Sequence, residues 1–212
     1  MNNNLNLWKN KLKKPKGLAS QLLMSPKMRA ADIKDYKNKK DSVQSSVIVL
    51  IFEKNKELHL LLTRRSTKLN KHSGQISFPG GKKDDTDIDL MHTAIREAKE
   101  EIGLNQEVEM IGELTPLLIP ITNFCVHQYV AYISQKPNID INKDEVNEVL
   151  EIPIREFLKS ENIKTKYFGK TSSGRYIIAP YYSINGAEIW GATAMMIKEL
   201  TDTLFEDGNK VI

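Results

Sequence analysis

Glu97, Glu100 and Glu101 stand close together in the stretch Arg96-Glu97-Ala98-Lys99-Glu100-Glu101-Ile102-Gly103-Leu104. On a helix over residues 89–102, the spacing i, i+3, i+4 gathers their carboxylates on one surface, where they repel unless cations neutralise them. Hard oxygen ligands grouped in this way suit Mg²⁺ or Mn²⁺ carrying substrate phosphates. Glu97 and Glu101, one turn apart, form the best chelating pair. Arg96 lies four residues before Glu100 and is placed to hold that carboxylate by an ion pair. The same run would also serve as a solvated charged face, which is what most such runs are, so the flanks must decide.

The helix needs a core to sit on. Met91, Ile95, Ala98 and Ile102 recur at helical spacing as an apolar stripe, more than a quarter-turn from the acids. Gly103 suits the left-handed residue that ends a helix. Phe78-Pro79-Gly80-Gly81 precedes it, separated by a short acidic loop. The glycine pair reads as a tight turn. It is not a P-loop, because Lys82 and Lys83 lack the glycine spacing and the following Ser or Thr.

Gly80-Gly81 followed by REAKEEIGL resembles the Nudix box, the loop-helix signature of enzymes that hydrolyse a nucleoside diphosphate linked to another group. The family pattern asks for an acid six residues after the second glycine, where Asp87 stands, and from Asp87 to Arg96 this chain is one residue longer than the pattern. The resemblance implies an α/β Nudix fold, a mixed β-sheet sandwiched between helices (α/β/α). It implies Mg²⁺ or Mn²⁺ held by Glu97, Glu100, Glu101 and the Gly80 carbonyl, with a P–O–P bond cut by metal-activated water. The proton acceptor is Glu97 or Glu100, or an acid outside the box such as Glu145 or Glu148.

Upstream, Leu61-Leu62-Thr63-Arg64-Arg65-Ser66 and then Gly74-Gln75-Ile76-Ser77-Phe78-Pro79-Gly80-Gly81 resemble the signature of coenzyme A pyrophosphatases within that superfamily. Ile189-Trp190-Gly191-Ala192-Thr193-Ala194 is similar to the subfamily's closing segment, so the likeness spans about 45–206. It implies cleavage of coenzyme A or a derivative to 3′,5′-ADP and 4′-phosphopantetheine or its acyl form. Asn70 stands where the subfamily has Arg, and the adjacent Lys71 supplies only a point charge. Read physically, Arg64, Arg65, Lys68 and Lys71 suit a substrate with a diphosphate and a further phosphate, Arg65 occupying the subfamily's Arg position. His72, with no partner visible, reads as structural. Two other readings share the helix: a Nudix hydrolase of ADP-ribose, another dinucleotide or a nucleoside triphosphate, and a non-catalytic nucleotide-sensing module. Such modules usually lose box carboxylates, whereas here all three remain.

With 212 residues and 40% hydrophobic content, the chain has the size of one domain with some elaboration. An N-terminal helical arm over 1–43 precedes a hydrolase domain over 44–212. The net charge is +4, from 31 basic and 27 acidic residues, with the bases crowding the first third and the acids peaking in the helix. That asymmetry fits a polyanionic small molecule better than nucleic acid. A single cysteine, Cys125, allows no internal disulfide and agrees with a reducing compartment. No apolar run is long enough for a secretory signal or a membrane span, so a cytoplasmic protein is expected. A homodimer is compatible with the sequence.

The remaining elements follow from local pattern. Helical spacing over 5–12 and 18–24 builds the arm, in which Trp8 has a surface or core role. Strands are expected over 46–52, 58–63, 75–78, 107–118 and 124–134. A loop over 144–149 leads to a short strand and helical turn over 152–158. Short strands over 166–168, 174–179 and 181–184 are broken by Gly and Pro, and an amphipathic helix over 192–205 closes the chain.

Overall fold

The structure is a computed structural model that describes residues 2–26, 41–68, 74–170, 174 and 176–205. Helices α1 (Asn2–Leu12) and α2 (Leu18–Leu22) precede strand β1 (Val43–Lys54), which turns back into β2 (Glu57–Arg65). The turn is two residues, Asn55 and Lys56, both left-handed with φ 53 and 61, as a tight hairpin that follows the strand twist requires. Next come β3 (Ile76–Ser77), β4 (Gly80–Lys82), α3 (Leu90–Ile102), β5 (Glu109–Glu113), β6 (Leu117–Ile119) and β7 (Phe124–Ile133). Then follow β8 (Val146–Pro153), α4 (Ile154–Leu158), β9 (Ile163–Lys170), β10 (Tyr176–Ile184), β11 (Ala187–Trp190) and α5 (Gly191–Phe205).

One sheet runs β3-β2-β1-β7-β5, with β4 also on β1, β6 on β7 and β8 on β2. β1 and β7 lie parallel from Val43↔Phe124 to Phe52↔Ile133, and the other pairs are antiparallel, so the sheet is mixed. Alternate residues of β1 enter two cores. Ile48, Leu50 and Phe52 pack with Ala94, Ala98 and Ile102 of α3. Val49 and Ile51 join Met195, Leu200 and Leu204 of α5. Burial on both faces is why β1 reads as an unbroken apolar run. This is an α/β fold. A second antiparallel sheet, β11-β10-β9, adds Tyr182, Ile184 and Ile189 to the α5 core.

Three expectations are corrected. The loop read over 144–149 becomes strand from Val146, because β8 pairs with β2 from Arg65↔Val146 through His59↔Pro153. Pro180 does not break the chain: it sits within β10 opposite Thr165, since the φ fixed by its ring is compatible with extended backbone. β11 was not anticipated, although Asn185-Gly186, left-handed at φ 49 and 80, is a hairpin signal visible in the sequence.

The N-terminal helices are seated on the hydrolase fold. Trp8 is buried, its ring edge-on to Tyr132 and Phe205 at centroid distances of 6.0 and 5.9 Å. The Glu199 carboxylate of α5, fully buried, accepts from Gly17 N–H at 3.0 Å, Thr115 N–H at 3.1 Å and Gln21 Nε2 at 2.6 Å. Trp8→Ala is therefore expected to cost about 3 kcal/mol in urea unfolding, the low end for a large aromatic, because a terminal helix can settle into the space. Among the described residues no helix is long and apolar enough to cross a membrane.

Candidate active site

Helix α3 has defined ends. Asp89 is its N-cap, accepting from His92 N–H at 2.7 Å, and Gly103, with φ 63, is its left-handed C-cap. The last carbonyls are satisfied from outside: Asp140 N–H donates to Ile102 O at 3.0 Å and Asn142 N–H to Glu101 O at 2.9 Å. These bonds dock the segment before β8 onto the acidic end of the helix. Ser66 N–H, donating to Glu145 O at 2.8 Å, ties the same segment to the end of β2. Glu145 is thereby brought to Glu97 and Glu101, and its charge helps raise both their pKa values.

The buried stripe of α3 is Ala94, Ala98 and Ile102, not the expected set, because Met91 is exposed and Ile95 only half-buried. Glu101 is carried inward with that stripe, its side chain 4% exposed. Its Oε2 accepts from Gly80 N–H at 3.3 Å, and Arg65 Nη1 lies 3.7 Å from its Oε1. Burial pushes the Glu101 carboxyl up to about 7, against the opposing pull of the Gly80 N–H and Arg65. Glu97, also largely buried, is pushed up chiefly by desolvation, which its ion pair with Arg96 Nη2 at 2.9 Å partly offsets.

Glu100 departs from the expected cluster. It is 53% exposed and paired with Arg96 Nη1 at 2.9 Å, one step round the helix from the buried pair. Among the described residues no three His, Cys, Asp or Glu side chains are gathered closely enough to hold an ion by themselves. Glu97 and Glu101 are brought together with Gly80; Glu100 is not.

The glycines set the clearance. A Cβ on Gly81 would lie 2.4 Å from Glu97 Cδ, and one on Gly80, whose φ is 154, would lie 2.3 Å from Ser46 O. Only a flexible side-chain end obstructs at Gly81, whereas backbone obstructs at Gly80. Gly81→Ala is expected to leave the melting temperature within a few degrees of wild type while displacing the Glu97 carboxylate. Loss of turnover on the order of 100-fold should follow, read by comparing kcat with thermal unfolding.

Asp87 had no role assigned from the sequence beyond the pattern's acid. Its side chain is fully buried and accepts from Arg96 Nε at 2.9 Å, Arg96 Nη2 at 3.0 Å, Thr93 Oγ1 at 2.9 Å and Asp84 N–H at 2.9 Å. The Arg96 guanidinium holds its pKa well below the usual carboxylate range. Asp87 thus anchors the arginine that grips both Glu97 and Glu100.

The basic candidates divide. Arg65 borders Glu101. Arg64 pairs with Glu148 at 2.5 Å, and Lys68 pairs with Asp144 at 2.9 Å. Two expected phosphate contacts are therefore engaged by acids of the facing segment, and Glu148 is turned to Arg64. Asn70, Lys71 and His72 lie outside the described residues.

The family model for the NUDIX domain matches residues 43–170. An uncharacterized Nudix hydrolase NudL from Klebsiella pneumoniae is 36% identical over 158 residues, 74% of this chain and 80% of that protein. A protein of Mus musculus named peroxisomal coenzyme A diphosphatase NUDT7 is 35% identical over 160 residues, 72% of this chain and 64% of that protein. A MutT/nudix family protein from Enterococcus faecalis shares the fold, with a TM-score of 0.52 at 15% identity over 84% of this chain and 69% of that one. A mixed sheet flanked by helices, with a diglycine strand closed against an acid-bearing helix, is the framework of a pyrophosphohydrolase. The chain belongs to the Nudix hydrolase family.

Proposed function

We propose that the chain is a coenzyme A diphosphatase that works in the cytoplasm with Mg²⁺ or Mn²⁺ and releases 3′,5′-ADP and 4′-phosphopantetheine or its acyl form. The observation that carries this reading is the desolvated pair Glu97 and Glu101, with Glu145 set against them and Arg65 alongside. Oxygen donors raised in pKa by burial and by one another fit a hard divalent cation, which would favour their ionised forms. Glu97 and Glu101 would hold it, with Gly80 of the adjoining strand. An ion there supplies charge neutralisation at the phosphate oxygens and a lowered pKa for the water it binds.

The chain's own residues do the rest by positioning. Asp87 fixes Arg96, and Arg96 fixes Glu97; Glu100, on the same arginine, completes the clamp from the solvent side. Arg65, partly exposed beside Glu101, is placed to meet a diphosphate oxygen. Glu145 is half-buried, with a 3.3 Å contact from Asn142 Nδ2, and is the acid best placed to take the proton of the attacking water.

The coenzyme A assignment draws on the likeness to the mouse diphosphatase and on the 61–81 segment that feeds the glycine pair. Incubation with coenzyme A and Mg²⁺, with products separated by chromatography, tests it. Equimolar 3′,5′-ADP and 4′-phosphopantetheine are expected. A preference for ADP-ribose, a dinucleotide or a nucleoside triphosphate in the same panel would move the assignment, and ligand binding without turnover would make the chain a sensor.

A further inference from the structure

Ser46 occupies a position where a hydroxyl has no reason to be. Along β1 it continues the row of Ile48, Leu50 and Phe52 that packs on α3, and it is fully buried. Its Oγ has no hydrogen-bond partner. A buried hydroxyl left unpaired is destabilising relative to an apolar residue of the same size, so its presence asks for a partner in another state of the protein.

The strand register identifies that partner. Ser46 is directly opposite Gly81 in the antiparallel β1–β4 pair. Opposed residues project to the same face, with Cβ positions about 5 Å apart. A Cβ on Gly81 would lie 2.4 Å from Glu97 Cδ and 2.5 Å from Oε2. The Ser46 hydroxyl and the Glu97 carboxylate therefore share one side of the strand pair, across the gap that the missing Gly81 side chain leaves. On the other flank Ser46 is level with His127 of β7, whose Nε2 is engaged by Gln44 Oε1 at 3.0 Å. Glu97 gives one oxygen, Oε1, to Arg96.

We propose that Ser46 is a positioning residue for Glu97. When the divalent ion is bound, its hydroxyl donates to the Glu97 carboxylate, directly or across one water, and fixes which oxygen faces the ion. Ligating carboxylates held by an outer donor bind metal more tightly than unsupported ones. The inference rests on the reading of Glu97 as an ion ligand.

The test is Mn²⁺ titration of the full chain, followed by electron paramagnetic resonance without substrate, together with thermal unfolding in EDTA. Ser46→Ala should weaken Mn²⁺ binding about tenfold, while its midpoint in EDTA stays level or rises because an unpaired polar group has gone. Ser46→Cys, which keeps the volume but donates weakly, should group with Ala. Wild-type Mn²⁺ affinity in Ser46→Ala overturns the proposal, as does a lowered midpoint in EDTA, which marks a packing role. So does a Cys variant that behaves like Ser. Glu97→Gln separates the two levels. If it binds Mn²⁺ as wild type does, the ion-ligand reading fails. If it loses binding while Ser46→Ala does not, the assignment of Ser46 alone fails.

Discussion

Glu101→Gln is expected to lower kcat for coenzyme A by roughly a thousandfold at saturating Mg²⁺, about 4 kcal/mol of transition-state stabilisation, while making the metal-free protein more stable at neutral pH. The two effects have one cause. Glu101 is buried, and the folded state raises its pKa from the ordinary 4.5 to about 7. The native chain thus holds this proton more tightly than the unfolded chain does. Its favourable contribution is complete below 4.5, declines as pH rises through this window and is gone above about 7. Gln carries no charge at any pH and escapes that decline. Urea unfolding in EDTA should show wild-type stability falling between about pH 4.5 and 7, by up to about 3 kcal/mol, with a flatter curve for the variant. Added Mg²⁺ should stabilise wild type and not the variant. Parallel pH curves for the two proteins, or unchanged turnover in the variant, would remove Glu101 from the site.

What the sequence could convey about this site was local. The Asp89 cap, the Gly103 stop and the i, i+4 relation of Glu97 and Glu101 are all written within one helix, and the structure places helix ends and buried pair accordingly. The rotation of that helix was not legible. Met91 and Ala94 are both apolar and both fit a helical stripe, so only the packed sheet beneath decides which is buried, and with it which glutamates turn inward. The approach of Glu145 was not legible either. It depends on two backbone bonds, from Asn142 N–H to Glu101 O and from Ser66 N–H to Glu145 O, which use groups every residue has and leave no trace in side-chain type. Arg64 and Glu148 look like a phosphate contact and a free acid until the β2–β8 register sets them opposite each other.

The same argument bears on Asp87, whose replacement should be the most damaging to the fold. Asp87→Asn keeps the shape but removes a charge that faces Arg96 twice, and it turns one acceptor into a donor among Arg96, Thr93 and the Asp84 N–H. Arg96, only 23% exposed, is then left without its buried counter-ion. Breaking one half of a buried pair costs about 3–5 kcal/mol, and the five listening donors and charges here favour the upper part of that range. The pH dependence runs opposite to that of Glu101. Asp87 has a depressed pKa, so its stabilising contribution is present above the ordinary carboxylate value of 3.8 and is lost as pH falls through the lower folded value. The gap between wild type and Asp87→Asn in urea unfolding should therefore be widest near neutrality and narrow in acid. Because Arg96 also grips Glu97 and Glu100, the folded fraction of the variant should lose kcat with little change in KM, the Arg64 and Arg65 side chains being untouched. A variant as stable as wild type would show that Arg96 holds the glutamates without Asp87, and a rise in KM alone would place Asp87 in substrate binding instead of in the clamp.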